Sequence, residues 1–228
     1  MADFNLDGLD DILYSEPEAS TQTFTNNGRV SVHYSSQTGF SSVANLTWEG
    51  VSNNEMLGQG LSIGDYNGDG LMDMAIGSPG ANNNDGLVQF AFGTQQGISQ
   101  TLVQNAGIST PVVSGDKYGY CLETVDDLNE DGYDEILICS IDYEQSSDTG
   151  KVELFFGNDV GQTWIKMNSP NQILQGSNFG QSISADGDLN GDGLADLVIG
   201  NTGNLVDSSG FSSVEIRYGT STDRKSTR

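Results

Sequence analysis

The chain has 228 residues, with 32 acidic side chains against 8 basic ones, a single histidine and a formal net charge of −24. Nucleic-acid binding through phosphates and polybasic membrane contact both need a basic surface, and the one basic cluster is Arg224, Lys225 and Arg228, read as a solvated tail. No run of about 18 apolar residues occurs, so no membrane-spanning helix is expected, and Met1 leads into Asp3 and Asn5 rather than into the apolar stretch of a secretory leader.

In chain order, an acidic window DFNLDGLDD (3–11) runs into a short apolar segment, DILYSEP (11–17), then an alternating one, GRVSVHY (28–34), and a weaker one, ANLTWEG (44–50). LGQGLSI (57–63) leads into a second window, DYNGDGLMD (65–73), followed by DMAIGSP (73–79), GLVQFAF (86–92) and TPVVSG (110–115). YGYCLET (118–124) precedes the third, DLNEDGYDE (127–135), with EILICSI (135–141), GKVELFF (150–156) and NQILQG (171–176) after it. FGQSISA (179–185) precedes the fourth, DLNGDGLAD (188–196), followed by DLVIGNT (196–202) and SSVEIRY (212–218).

All four windows fit D-x-N-x-D-G-x-x-[DE], start at Asp3, Asp65, Asp127 and Asp188, and hold 15 of the 32 acids. Their starts are 62, 62 and 61 residues apart, and self-similarity at a fixed period outranks local propensity. The segments between windows alternate apolar and polar residues, the period of a half-buried strand, with no sustained helical period. Thirty glycines, nearly twice the usual share of about 7%, supply turns between short strands. The expected fold is all-β, with four strands and one acidic turn per unit. We read one domain over 1–228, with repeats at approximately 1–56 (lacking its first strand), 57–117, 118–178 and 179–228 (lacking its last).

The window spacing has a chemical meaning. Alternate residues at positions 1, 3 and 5 of a tight loop aim oxygens at one centre, glycine at position 6 permits the sharp turn, and a position-7 carbonyl with a position-9 carboxylate closes the shell. An all-oxygen set with three charges suits a hard cation of six to eight ligands, calcium rather than magnesium, and no His or Cys lies in a loop for zinc or copper. The candidate side-chain ligands are Asp3, Asn5, Asp7 and Asp11; Asp65, Asn67, Asp69 and Asp73; Asp127, Asn129, Asp131 and Glu135; and Asp188, Asn190, Asp192 and Asp196. The first set sits at the chain start, where fraying is expected, and Glu135 brings one extra methylene to the third. An EF-hand needs Glu at position 12 between helices; here Tyr14, Ile76, Ile138 and Ile199 stand there, in β-like flanks. The competing reading is a set of exposed Asx-Gly turns that bind nothing. Four loops in register, each with clustered carboxylates that repel without a cation, argue against it.

These features resemble the FG-GAP repeat of integrin α-subunit β-propellers and related proteins. The FG half is matched by Phe179-Gly180, with Tyr118-Gly119 and Leu57-Gly58 as variants, and the GAP half by Gly77-Ser78-Pro79. Ser15-Glu16-Pro17 is a degraded copy, and Cys139-Ser140-Ile141 and Gly200-Asn201-Thr202 have lost it. The resemblance implies one four-stranded antiparallel blade per repeat, about 3.7 repeats in all. It implies up to four calcium ions, one per repeat, with Leu9, Leu71, Tyr133 and Leu194 giving backbone carbonyls. Such propellers usually close with seven blades, so this segment is expected to be part of a larger propeller or to complete one with a second copy. The implied function is a non-catalytic, calcium-binding, extracellular or cell-surface recognition and adhesion module with a protein or glycan ligand. The alternative is an accessory or sugar-binding region of a secreted enzyme.

Four further features are weighed against plain packing. Cys121 and Cys139 flank the third loop on adjacent strands, either as a disulfide or as two small buried thiols. His33 would have to serve any catalytic triad alone, and no G-x-S-x-G or H-E-x-x-H occurs. Phe4, Trp48, Tyr66, Trp164 and Phe211 either stack on sugars or fill blades, and Asn45-Leu46-Thr47 is an N-glycosylation sequon.

Overall fold

The computed structural model describes residues 2–104, 115–127, 131–143, 149–157, 179–202 and 212–219. They form antiparallel sheets in chain order. The first is β1 (Ile12–Glu16), β2 (Arg29–His33) and β3 (Leu46–Glu49). The second joins β4 (Gly60–Gly64), β5 (Asp73–Ser78) and β6 (Leu87–Ala91), and a hairpin of β7 (Gly93–Thr94) and β8 (Gly97–Ile98) precedes its fourth strand, β9 (Val103–Gln104). The third is β10 (Tyr118–Val125), β11 (Glu135–Tyr143) and β12 (Thr149–Phe155). The fourth is β13 (Phe179–Gly187), β14 (Asp196–Thr202) and β15 (Ser212–Arg217).

The all-β expectation holds, and the sheets are blades of β-propeller type, though among the described residues they do not close into a ring. Each acidic window is the turn of a hairpin. Its ninth residue opens the next strand, pairing Gly64 with Asp73, Val125 with Glu135 and Gly187 with Asp196. In the first repeat an isolated bridge between Ala2 and Asp11 takes that place. Four strands per blade are seen only in the second sheet among the described residues. Its outer strand is β9, not the 110–115 run, which lies outside them except for Gly115. The 171–176 run also lies outside. An unexpected turn spans Ala81–Asn84, with Asn82, Asn83 and Asn84 at φ 52°, 63° and 70°.

The core lies between blades, because each middle strand alternates a face toward the preceding sheet with one toward the following sheet. Val30 and Val32 pack with Leu57, Met74 and Ile76 of the next repeat. Val88 and Phe90 pack with Tyr118, Ile136 and Ile138, and Val152 and Leu154 with Phe179 and Ile199. The same positions of the fourth blade, Val214, Ile216 and Tyr218, are 67%, 48% and 56% exposed.

Backbone contact fixes how one blade meets the next. Gly28 bridges Leu57 and Gly86 bridges Tyr118 in parallel, and a Cβ on Gly28, Gly86 or Gly150 would overlap the backbone of Leu57, Tyr118 or Phe179. The following glycines, Gly58, Gly119 and Gly180, take φ of +87°, +83° and +83°, a region open mainly to glycine, and approach the side chains of Val30, Val88 and Val152. The Phe-Gly half of the repeat is therefore the seam between blades.

Candidate cation-binding loops

The described parts of the four loops share one hydrogen-bond plan. The position-1 carboxylate accepts the N–H groups of positions 5 and 6. Asp3 takes those of Asp7 (3.0 Å) and Gly8 (2.7 Å), and Asp65 those of Asp69 (3.0 Å) and Gly70 (2.7 Å). Asp127 takes those of Asp131 and Gly132 (both 2.9 Å), and Asp188 those of Asp192 (3.0 Å) and Gly193 (2.8 Å). The position-3 amides of Asn5, Asn67 and Asn190 accept the position-5 N–H and donate to the position-5 carboxylate. Asn129 lies outside the described residues. The position-5 carboxylates of Asp7, Asp69, Asp131 and Asp192 accept the N–H of Leu9, Leu71, Tyr133 and Leu194.

Position 9 does more than its letter suggests. Asp11, Asp73 and Asp196 are almost completely buried. One oxygen of each accepts the N–H of position 2, from Phe4 (2.9 Å), Tyr66 (3.1 Å) and Leu189 (2.7 Å). The other accepts an N–H just after the strand paired with the one the loop leads into, from Ser35 (2.8 Å), Gly93 (2.8 Å) and Gly219 (2.9 Å). Each carboxylate thus clamps its loop to its own sheet and retains lone pairs for a cation. Sequence reasoning missed this clamp, because residues 35, 93 and 219 carry no recognisable side chain for it.

The third loop departs from the others at this point. Carboxylate oxygens of Asp127, Asp131 and Glu135 all lie within 4.8 Å of one another, the only such acidic group among the described residues. The extra methylene of Glu135 carries its carboxylate inward. In the second loop, burial first, and then the charges of Asp69 and Asp65, push the Asp73 carboxyl up to about 7 against the N–H groups of Gly93 and Tyr66. Exposed Asp188 is held low, chiefly by the N–H of Gly193. Converging oxygens and unneutralised like charges fit a hard cation. The residues available to hold it are those at positions 1, 3, 5 and 9, with the carbonyls of Leu9, Leu71, Tyr133 and Leu194. The position-12 residues Tyr14, Ile76, Ile138 and Ile199 lie on β1, β5, β11 and β14, so strands rather than EF-hand helices flank the loops.

The remaining candidates go to structure. Phe4, Trp48 and Tyr66 are buried, and the Trp48 indole donates to the Gln100 carbonyl at 2.9 Å. They pack rather than present a sugar platform; Trp164 and Phe211 lie outside the described residues. His33 stacks on Tyr14 with ring centroids 5.7 Å apart, and its Nδ1 pairs with the Ser41 carbonyl at 2.9 Å. Both cysteines are free thiols: buried Cys139 is hydrogen-bonded to Cys121, whose Sγ–H donates to the Gly180 carbonyl at 2.9 Å. Burial, then that bond, pushes the Cys139 thiol well above its ordinary value. Asn45 is exposed, and its amide oxygen accepts the Tyr34 N–H.

A family model described as the FG-GAP repeat matches residues 57–90 and 179–214. The chain is 28% identical over 189 residues to integrin alpha-8 of Homo sapiens, covering 77% of this chain and 17% of that protein. It is 26% identical over 216 residues to integrin alpha-V of Gallus gallus, covering 88% and 19%. It is 30% identical over 162 residues to integrin alpha pat-2 of Caenorhabditis briggsae, covering 64% and 12%. The chain thus spans less than a fifth of each of these relatives. Both matched stretches run from a Phe-Gly-type seam through an acidic loop into the next two strands, so the second and fourth blades each carry an FG-GAP repeat, in a chain similar to integrin α-subunits.

Proposed function

We propose that this chain is a calcium-binding, non-catalytic recognition segment of an extracellular adhesion propeller. The carrying observation is that the described parts of the loops share one hydrogen-bond plan, and that in the third loop the carboxylates of Asp127, Asp131 and Glu135 converge within 4.8 Å of one another. Calcium neutralises the like charges and locks each hairpin. Its role is structural, and the ligand is a protein or glycan bound elsewhere on the propeller. Adhesion is carried over from the integrin relatives, and a cell-surface or secreted setting supplies the calcium that modest-affinity loops require. The chain reads as one segment with the four repeats given above. The exposed face of Val214, Ile216 and Tyr218 is where a further blade, or a second copy, packs. Burial of Phe4, Trp48 and Tyr66 speaks against the sugar-stacking alternative.

Calorimetric titration with calcium, paired with thermal denaturation, tests this reading. Uptake of up to four ions is expected. Each site saturated at a hundred times its Kd adds about 2.7 kcal/mol, so chelator should lower Tm by many degrees. No uptake and an unchanged Tm would overturn the calcium assignment.

A further inference from the structure

We propose that Asp134 is a positioning residue that couples the second and third cation loops, so that an ion in one prepares the other; this rests on the calcium reading above. Asp134 stands at position 8 of the third loop, a place given no ligand role. Its carboxylate accepts the N–H of Asp65 at 2.7 Å, and its own N–H donates to the Asp65 carbonyl at 3.0 Å. It also accepts the N–H of Asp127. Asp65 and Asp127 are the position-1 residues of the two loops, so one carboxylate anchors the backbone on which both first ligands are mounted.

Two further contacts make the junction stiff. The Tyr133 ring lies against Gly68, where a Cβ would stand 2.5 Å from the ring carbon Cε1. Behind the loops, the Tyr66 hydroxyl bonds Thr124 Oγ1 at 2.6 Å, and Thr124 bonds Ser62 of the preceding repeat at 2.7 Å. Position 8 is Met72 in the second loop and Ala195 in the fourth, neither with a side-chain acceptor for an N–H, while Asp10 holds that position in the first loop, which follows no other loop among the described residues. The carboxylate link is therefore peculiar to this pair. An ion in the third loop draws Asp127, Asp131 and Glu135 together and fixes the segment carrying Asp134. Asp134 then holds the N–H of Asp65 in the orientation that the second loop needs, and the ordering cost is met once for both.

Calcium titration of the full chain followed by amide NMR tests this, with Gly70 and Gly132 reporting their own loops and Gly8 and Gly193 as controls. Asp69→Ala disables the second loop. With Asp134 present, that loss should weaken calcium binding at the third loop at least about fivefold, the lower end of ordinary coupling. In an Asp134→Ala background the same loss should change it less than twofold. Asp134→Asn, which keeps an acceptor without the charge, should restore part of the coupling and serves as the second variant if alanine unfolds the chain. If Asp69→Ala leaves the third loop unaffected while Gly132 still responds to calcium, the coupling is wrong and the calcium reading stands. Undiminished coupling in both Asp134 variants would assign it to other contacts and overturn the role of Asp134. If no glycine amide responds to calcium, the calcium reading itself fails.

Discussion

Glycine at position 6 of the loops is needed for its backbone and not for space: Gly8, Gly70, Gly132 and Gly193 have φ between +81° and +90°, with nothing within 4 Å of an added Cβ. Gly70→Ala should cost about 1–2 kcal/mol, the left-handed penalty alone, read by urea denaturation in chelator. The reverse case stands two residues earlier. Leu6 is held at φ 60° where Gly68 and Gly191 occupy the same loop position, so Leu6→Gly should stabilise the chain by a similar amount. Position 9 separates clamp from ligand: Asp73→Asn loses one of two buried backbone acceptors and should cost about 1–3 kcal/mol even without calcium. Asp69→Asn, exposed, should weaken calcium binding, yet in chelator it removes one of the mutually repelling charges and should leave the chain at least as stable. The glycine requirement was legible in the sequence because position 6 repeats. The clamp was not, because the letter Asp looks the same exposed at position 5 and buried at position 9, and burial is decided by residues some 20 positions away.

Among the secondary-structure elements, the strands with a clear period were legible, and so was the hairpin that carries each loop. The β7–β8 hairpin and β9 were not, since two-residue strands have no period to read. The Asn82–Asn84 turn was not either, because it depends on three consecutive left-handed residues that no spacing announces. The seam glycines test how blades dock. Gly86 has both φ of +88° and no room beside the Tyr118 backbone, so Gly86→Ala should destabilise the chain by more than Gly70→Ala in the same assay. An equal loss would mean that the seam yields to a methyl group and that close backbone approach is not what aligns the blades.

For the whole molecule, the formal charge of −24 is concentrated where cations are expected, and four calcium ions would cancel a third of it. Self-repulsion of that size opposes the compact state and is screened by salt. Raising sodium chloride should therefore lift Tm in chelator by more than it does in calcium; an equal rise in both would place the repulsion outside the loops. The repeat period made the blade count legible. How one blade seats on the next was not, because Gly28, Gly86 and Gly150 face residues of a different repeat, about 30 positions on. At the glycine the seam is backbone against backbone, and what it asks of the partner is a large side chain that the core between blades can bury, which Leu57, Tyr118 and Phe179 all supply. Blades joined in this way are interchangeable parts: a whole unit can be duplicated, lost or exchanged at the seam, and each can drift in sequence without ceasing to fit its neighbours.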